Sequence, residues 1–128
     1  MKTPEDYEKA DIDKYLKSIG AYHVCMTTGG FGASGHADRI VCLAGRFIAI
    51  EVKRPGKEPT ALQHRRINEV RAAGGEAFWG TAEKVINELW AWRMANGLVD
   101  SIRAESEAIE RILRSNKEPR STARSPRS

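Results

Sequence analysis

The sequence predicts an α/β fold in a single domain, on three observations. Helical and strand-like patterns follow one another in the order α, β, β, β, α, β, α, with one more helical pattern behind them. Two of the strand-like runs, residues 39–44 and 46–52, are separated by Gly45 alone, which marks a hairpin. At 128 residues the chain is long enough to bury one modest core and too short for two independent ones.

The first helix is predicted over 4–19. Thr3 stands at its N-cap, Pro4 at its first helical position, and Asp6 where it can reciprocate the cap. Ile12, Leu16 and Ile19 share one face. Stepping back by helical spacing puts Glu8 and Glu5 on the same stripe, so at least one carboxylate should point inward. Gly20 ends the helix. Residues 21–27 alternate loosely, as a strand does, and 28–35 form a loop with four glycines.

After the hairpin, residues 53–59 hold two prolines and a glycine and must be a loop. Thr60 then caps a helix through residue 73, which ends at Gly74 and Gly75 and carries Gln63, Ile67 and Val70 on one face. A short strand over 76–79 follows, and Thr81 caps a helix over 82–95. Asn96 and Gly97 break it. A last helix over 98–114 carries Leu98, Ile102, Ile109 and Leu113. The expected division is a globular unit at 1–97, a C-terminal helix at 98–114 and a disordered basic tail at 115–128.

Composition narrows the function. No stretch approaches the roughly 20 apolar residues that cross a bilayer, and the acidic N-terminus lacks the apolar run of a secretory signal. We therefore expect an intracellular protein with no membrane partner. Cys25 and Cys42 fall in runs that look like buried strands, and nothing has a zinc-ligand spacing, so two reduced core thiols are expected rather than a disulfide or a zinc site. The net charge is +4, but residues 111–128 alone carry six basic side chains against Glu118. The globular part is thus close to neutral. The basic Ser/Arg/Pro tail is either a salt-sensitive phosphate-binding arm or a solvated end.

The chemistry is expected at the end of the third strand. In RFIAIEVK, residues 46–53, an apolar strand ends in a carboxylate, one apolar residue and an ammonium. Side chains alternate along a strand, so Glu51 and Lys53 share a face. Asp38 opens the preceding strand, and the separation of 13 positions allows one strand up and one back, so antiparallel pairing brings Asp38 to Glu51. Two carboxylates held together repel unless they share a proton or bind a cation. Hard oxygen ligands suit Mg²⁺ or Mn²⁺, and the Val52 carbonyl is a further available ligand. Taken alone, a Glu-x-Lys strand end is far more often a surface ion pair worth at most about 1 kcal/mol.

The conjunction is more specific. Asp38, an apolar hairpin and Glu51-Val52-Lys53 resemble the PD-(D/E)XK nuclease superfamily. More narrowly, the stretch from Gly35 to Gly80 resembles the virus-type replication-repair nuclease domain, VRR-NUC. Gly35, Asp38, Glu51, Lys53, Gly56, Lys57 and Gln63 match that family's pattern position by position, and the resemblance covers roughly residues 5–90. Ala37 departs from it, standing where the family usually has proline. The resemblance implies a restriction-endonuclease-like core with a mixed central sheet flanked by helices. It implies Asp38, Glu51, the Val52 carbonyl and a first-helix acid as Mg²⁺ or Mn²⁺ ligands, Lys53 as the catalytic ammonium, and Gln63 orienting water or phosphate. Glu8 is preferred over Glu5 as the first-helix acid, because Ile12 and Leu16 follow it at steps of four.

It further implies a homodimeric, structure-selective endonuclease of branched DNA, similar to a Holliday junction resolvase and of viral or prophage origin. The alternative is a non-catalytic DNA-binding module with the same fold. His36 and His64 flank the motifs and are expected to be structural or exposed rather than ligands. The glycine-rich loop fits no nucleotide-binding pattern, and contact of Phe31 with nucleic acid is the better expectation. Trp79 and Trp90 are expected to pack in the core, and Trp92 is a candidate subunit contact.

Overall fold

The computed structural model describes residues 2–26 and 35–117. Helix α1 (Pro4–Ser18) is followed by strands β1 (Tyr22–Cys25), β2 (Arg39–Leu43) and β3 (Arg46–Val52), helix α2 (Ala61–Ala72), strand β4 (Glu76–Gly80), and helices α3 (Ala82–Ala95) and α4 (Ile102–Lys117). The four strands form one mixed sheet in the order β1-β2-β3-β4, with β3 and β4 parallel and the other pairs antiparallel. The element order matches the sequence reading, and so does the α/β class.

Local chemistry fixes the boundaries. Thr3 and Asp6 form a reciprocal capping box at α1, and Thr60 and Gln63 form another at α2. Thr81 caps α3 by accepting from the Lys84 N–H. The β2–β3 hairpin turns through Ala44 and Gly45, with φ of 52° and 77°, the left-handed pair that matches strand twist and that glycine adopts without steric cost.

The sheet separates two cores. On one face α1, α3 and α4 pack Ile12, Leu16, Leu89 and Ile109 onto Ile48, Ile50 and Val52. On the other, α2 covers β3 and β4, placing Ile67 on Ala49 and Ala77. Arg39 ties α1 to the sheet through a bidentate pair with Asp13, at 2.7 and 2.9 Å. Arg93, buried in α3, donates to Tyr15, Glu105 and the Leu98 carbonyl and so fastens α4 to the body. The half-buried rings of Trp79 and Trp90 pack against the two cores as expected. Trp92 does the same beneath the Arg46 guanidinium, which lies 5.4 Å from its ring centre.

Two expectations are corrected. Cys25 and Cys42 are exposed, not core thiols. Cys25 is exposed at the end of the edge strand β1, and among the described residues α2 packs on β3 and β4, which leaves Cys42 uncovered on the same side of the sheet. Tyr22 and Phe47, which flank Cys42 across the sheet, are accordingly 71% and 46% exposed. The last helix is displaced from 98–114 to Ile102–Lys117, so residues 115–117 of the expected tail are helical. Leu98 instead serves the turn, its carbonyl held by Arg93 and its N–H donating to the Arg93 carbonyl. The glycine-rich loop up to Ser34 and the tail from residue 118, with the roles expected of them, lie outside the described residues.

Candidate functional site

The site is built where β2 begins and β3 ends. These strands pair antiparallel with Arg39 opposite Ile50, so the next pair outward sets Asp38 opposite Glu51. Ile48, Ile50 and Val52 point into the α1/α3 core, and Ala49 points toward α2. Alternation therefore turns Glu51 toward α2 as well. The strand end is held rigidly. The Val52 N–H donates to Asp38 Oδ2 at 2.8 Å, and the Lys53 N–H donates to the Gly80 carbonyl at 2.8 Å.

Gly35 brings the chain into this position. Its φ is +83°, and a Cβ there would stand 2.7 Å from Cγ of Leu62 in the first turn of α2. Only glycine lets the turn before Asp38 pass so close to that helix. Ala37, at the position where the resemblance expects proline, packs half-buried against the core under α2.

Both carboxylates are buried, Asp38 at 8% and Glu51 at 4% exposure. Glu51 Oε2 accepts from Gln63 Nε2 at 2.9 Å and lies 3.5 Å from Lys53 Nζ. Its other oxygen, Oε1, is buried and has no hydrogen-bond partner among the described residues. Burial, and next the charge of Asp38, push the Glu51 carboxyl up to about 7, against the pull of the Lys53 ammonium. A buried acid with one orphaned oxygen facing a second acid is an unfavourable arrangement for the protein alone. Its chemistry fits a hard divalent cation, which would neutralise the pair and take up the free oxygen. A cavity of about 360 Å³, walled by Ile40, Phe47, Ala49 and Ile67, opens beside Glu51 and Gln63.

The structure thus brings together Asp38, Glu51, Lys53 and Gln63, with Val52 giving its N–H to Asp38. Glu8 is placed differently. It is buried, as an inward-facing acid should be, but its Oε1 accepts from the Ala82 N–H at 2.8 Å, which satisfies a backbone donor in the first turn of α3. Among the described residues no three His, Cys, Asp or Glu side chains gather closely enough to hold a metal. Glu5 is linked to Asp38 through a residue that the sequence reading missed. Lys9 Nζ lies 3.3 Å from Glu5 Oε2 and 3.8 Å from Asp38 Oδ1. The Glu5/Lys9 spacing of i, i+4 was visible in the sequence, whereas the approach to Asp38 depends on how α1 lies on the sheet.

The remaining matched positions, Gly56 and Lys57, are exposed in the β3–α2 loop. His36 is exposed at the cavity. His64 packs edge-on to Trp79 at 5.7 Å, a structural role, as expected. No helix among the described residues is long and apolar enough to cross a membrane.

Among solved structures, the fold is similar to one described as a VRR_NUC domain, with a TM-score of 0.61 and 22% identity over 69% of this chain and 96% of that one. No protein-family model and no curated protein matches the sequence. The likeness establishes the fold, a mixed sheet with flanking helices.

Proposed function

We propose that this VRR-NUC-like fold carries a metal-dependent endodeoxyribonuclease that hydrolyses phosphodiester bonds in branched DNA, in the manner of a Holliday junction resolvase. The observation that carries the reading is the Glu51 carboxylate: buried, opposed to Asp38, flanked by Lys53, and left with an oxygen that no group among the described residues satisfies. A protein that only bound DNA would gain nothing from two buried carboxylates that repel the phosphate backbone. Asp38 and Glu51, with the Val52 carbonyl, would hold Mg²⁺ or Mn²⁺. The bound cation would supply Lewis-acid activation of water and neutralise charge on the scissile phosphate.

The chain's own groups do the rest. Gln63 anchors Glu51, so the carboxylate does not swing away when a phosphate approaches. Lys53, half-buried beside Glu51, offers an ammonium that orients the attacking water and stabilises the pentacovalent phosphorane. Glu8 is assigned here to holding the start of α3 and not to the cation. A homodimer would present two such sites to a four-way junction, and two-fold pairing suits paired incisions.

The test is incubation of a size-defined oligomer with labelled four-way junction, flap, nicked and linear duplex DNA, each with Mg²⁺, Mn²⁺ or chelator. Symmetric incision of the junction, lost in chelator and lost in Glu51→Gln, is the expected result. Indiscriminate cutting of linear duplex would remove the branched-DNA specificity. Undiminished cleavage by Glu51→Gln would remove the mechanism.

A further inference from the structure

Two lysines flank the acid pair, one on each carboxylate. Lys53 comes from the strand that carries Glu51 and is part of the proposed chemistry. Lys9 comes from α1 and stands against Asp38, with Glu5 one helical turn back as its second partner. Asp38 Oδ2 is committed to the Val52 N–H, so Oδ1 is the oxygen left for a cation, and Oδ1 is the one that Lys9 approaches. An ammonium and a divalent ion cannot both sit against that oxygen without strong repulsion.

We infer that Lys9 is a tethered counter-ion of the acid pair: its ammonium neutralises Asp38 in the cation-free protein, and a divalent ion at Asp38 displaces it onto Glu5. The inference rests on the proposed metal site, and it makes Lys9 and Glu5 positioning residues that set the site's cation affinity without being ligands. Lys9 already lies nearer to Glu5, at 3.3 Å, than to Asp38, at 3.8 Å, and is only 27% exposed. Displacement therefore requires a small rotation of a side chain whose new partner is in place. This gives the acid in the first helix a function that needs no direct contact with the cation. Glu5 receives the ammonium, while Glu8 is occupied at α3.

The inference predicts effects of opposite sign from two neighbouring residues. Removing the ammonium in Lys9→Met takes away the competitor, so the full-length protein should bind Mn²⁺ roughly three- to ten-fold more tightly at low ionic strength. Removing the receiving charge in Glu5→Gln leaves Lys9 with Asp38 alone, so Mn²⁺ should bind roughly two- to five-fold more weakly. Lys9→Arg keeps the charge and should resemble the wild type. A purely structural Glu5/Lys9 pair would move both variants in the same direction, through loosening of α1.

The experiment is calorimetric titration of the full-length wild type, Lys9→Met, Lys9→Arg, Glu5→Gln and Glu51→Gln with Mn²⁺, each checked for folding by circular dichroism. Should Lys9→Met be misfolded, Lys9→Gln takes its place. Tighter binding by Lys9→Met with weaker binding by Glu5→Gln supports the counter-ion. Unchanged or weaker binding by Lys9→Met overturns it, provided that Glu51→Gln abolishes binding. If Glu51→Gln binds Mn²⁺ as the wild type does, the metal site itself is wrong and the counter-ion falls with it.

Discussion

The side-chain amide of Gln63 is held at both ends: its Oε1 accepts from the Thr60 N–H at 2.9 Å, closing the capping box of α2, and its Nε2 donates to Glu51 Oε2 at 2.9 Å. The helix cap thereby aims the amide at the carboxylate. A glutamine at this third helical position serves local structure and the site at once, which explains why the residue stands three after Thr60 and twelve after Glu51.

Gln63→Ala should therefore cost stability and activity separately. Loss of half the capping box is worth about 1 kcal/mol, read from chemical denaturation. Loss of the anchor on Glu51 should slow cleavage by roughly 10- to 100-fold, as for other residues that orient a metal-binding carboxylate. Gln63→Glu keeps the box but sets a third carboxylate against Glu51. It should retain the cap and lose the cleavage. Full activity in Gln63→Glu would show that the amide does not orient Glu51.

The Glu51 carboxyl, raised by burial to about 7, makes the cation-free protein sensitive to pH. The folded state holds this proton more tightly than the unfolded chain does, so the associated stability is complete below about pH 4.5, falls as pH rises, and is lost once pH passes about 7. The loss should be on the order of a few kcal/mol. Glu51→Gln removes the titration. In chelator at pH 8 it should melt at a higher temperature than the wild type, and the gap should close toward pH 5. A variant that melts no higher than the wild type at pH 8 would contradict the buried, strained carboxylate.

Asp38→Asn keeps an oxygen able to accept from the Val52 N–H, so the fold should survive while the charge that draws a cation is gone. Mn²⁺ titration should give no heat, and circular dichroism should be unchanged. Lys53→Met should bind Mn²⁺ at least as well as the wild type but cleave about 10²- to 10⁴-fold more slowly, the usual worth of a positioned proton donor or acceptor. Cleavage at the wild-type rate would exclude Lys53 from the reaction.

Glu8 separates structure from chemistry. Glu8→Ala leaves the buried Ala82 N–H without its acceptor and should destabilise the protein by about 1–3 kcal/mol. Glu8→Gln preserves an acceptor and should cost far less. Mn²⁺ affinity should be unaffected in Glu8→Gln. A Glu8→Gln protein that folds normally and no longer binds Mn²⁺ would return Glu8 to the ligand set.

The sequence by itself determined whatever depends on neighbours in the chain. Caps at Thr3, Thr60 and Thr81, the hairpin at Gly45, and the alternation that puts Glu51 and Lys53 on one face are local, and each was legible. The meeting of Asp38 and Glu51 was legible too, because a short hairpin leaves one register in which the apolar residues of both strands face the cores. What the tertiary structure decided depends on which layer covers which face. Among the described residues α2 packs on β3 and β4, and Cys42 lies open although its strand is apolar. α1 crosses the sheet end so that Glu8 meets the start of α3, 74 positions away, while the next residue, Lys9, meets Asp38. Helical periodicity put both acids on one stripe and favoured Glu8 by its steps of four to Ile12 and Leu16, but the partners each acid meets are brought by packing and not by the spacing along the chain.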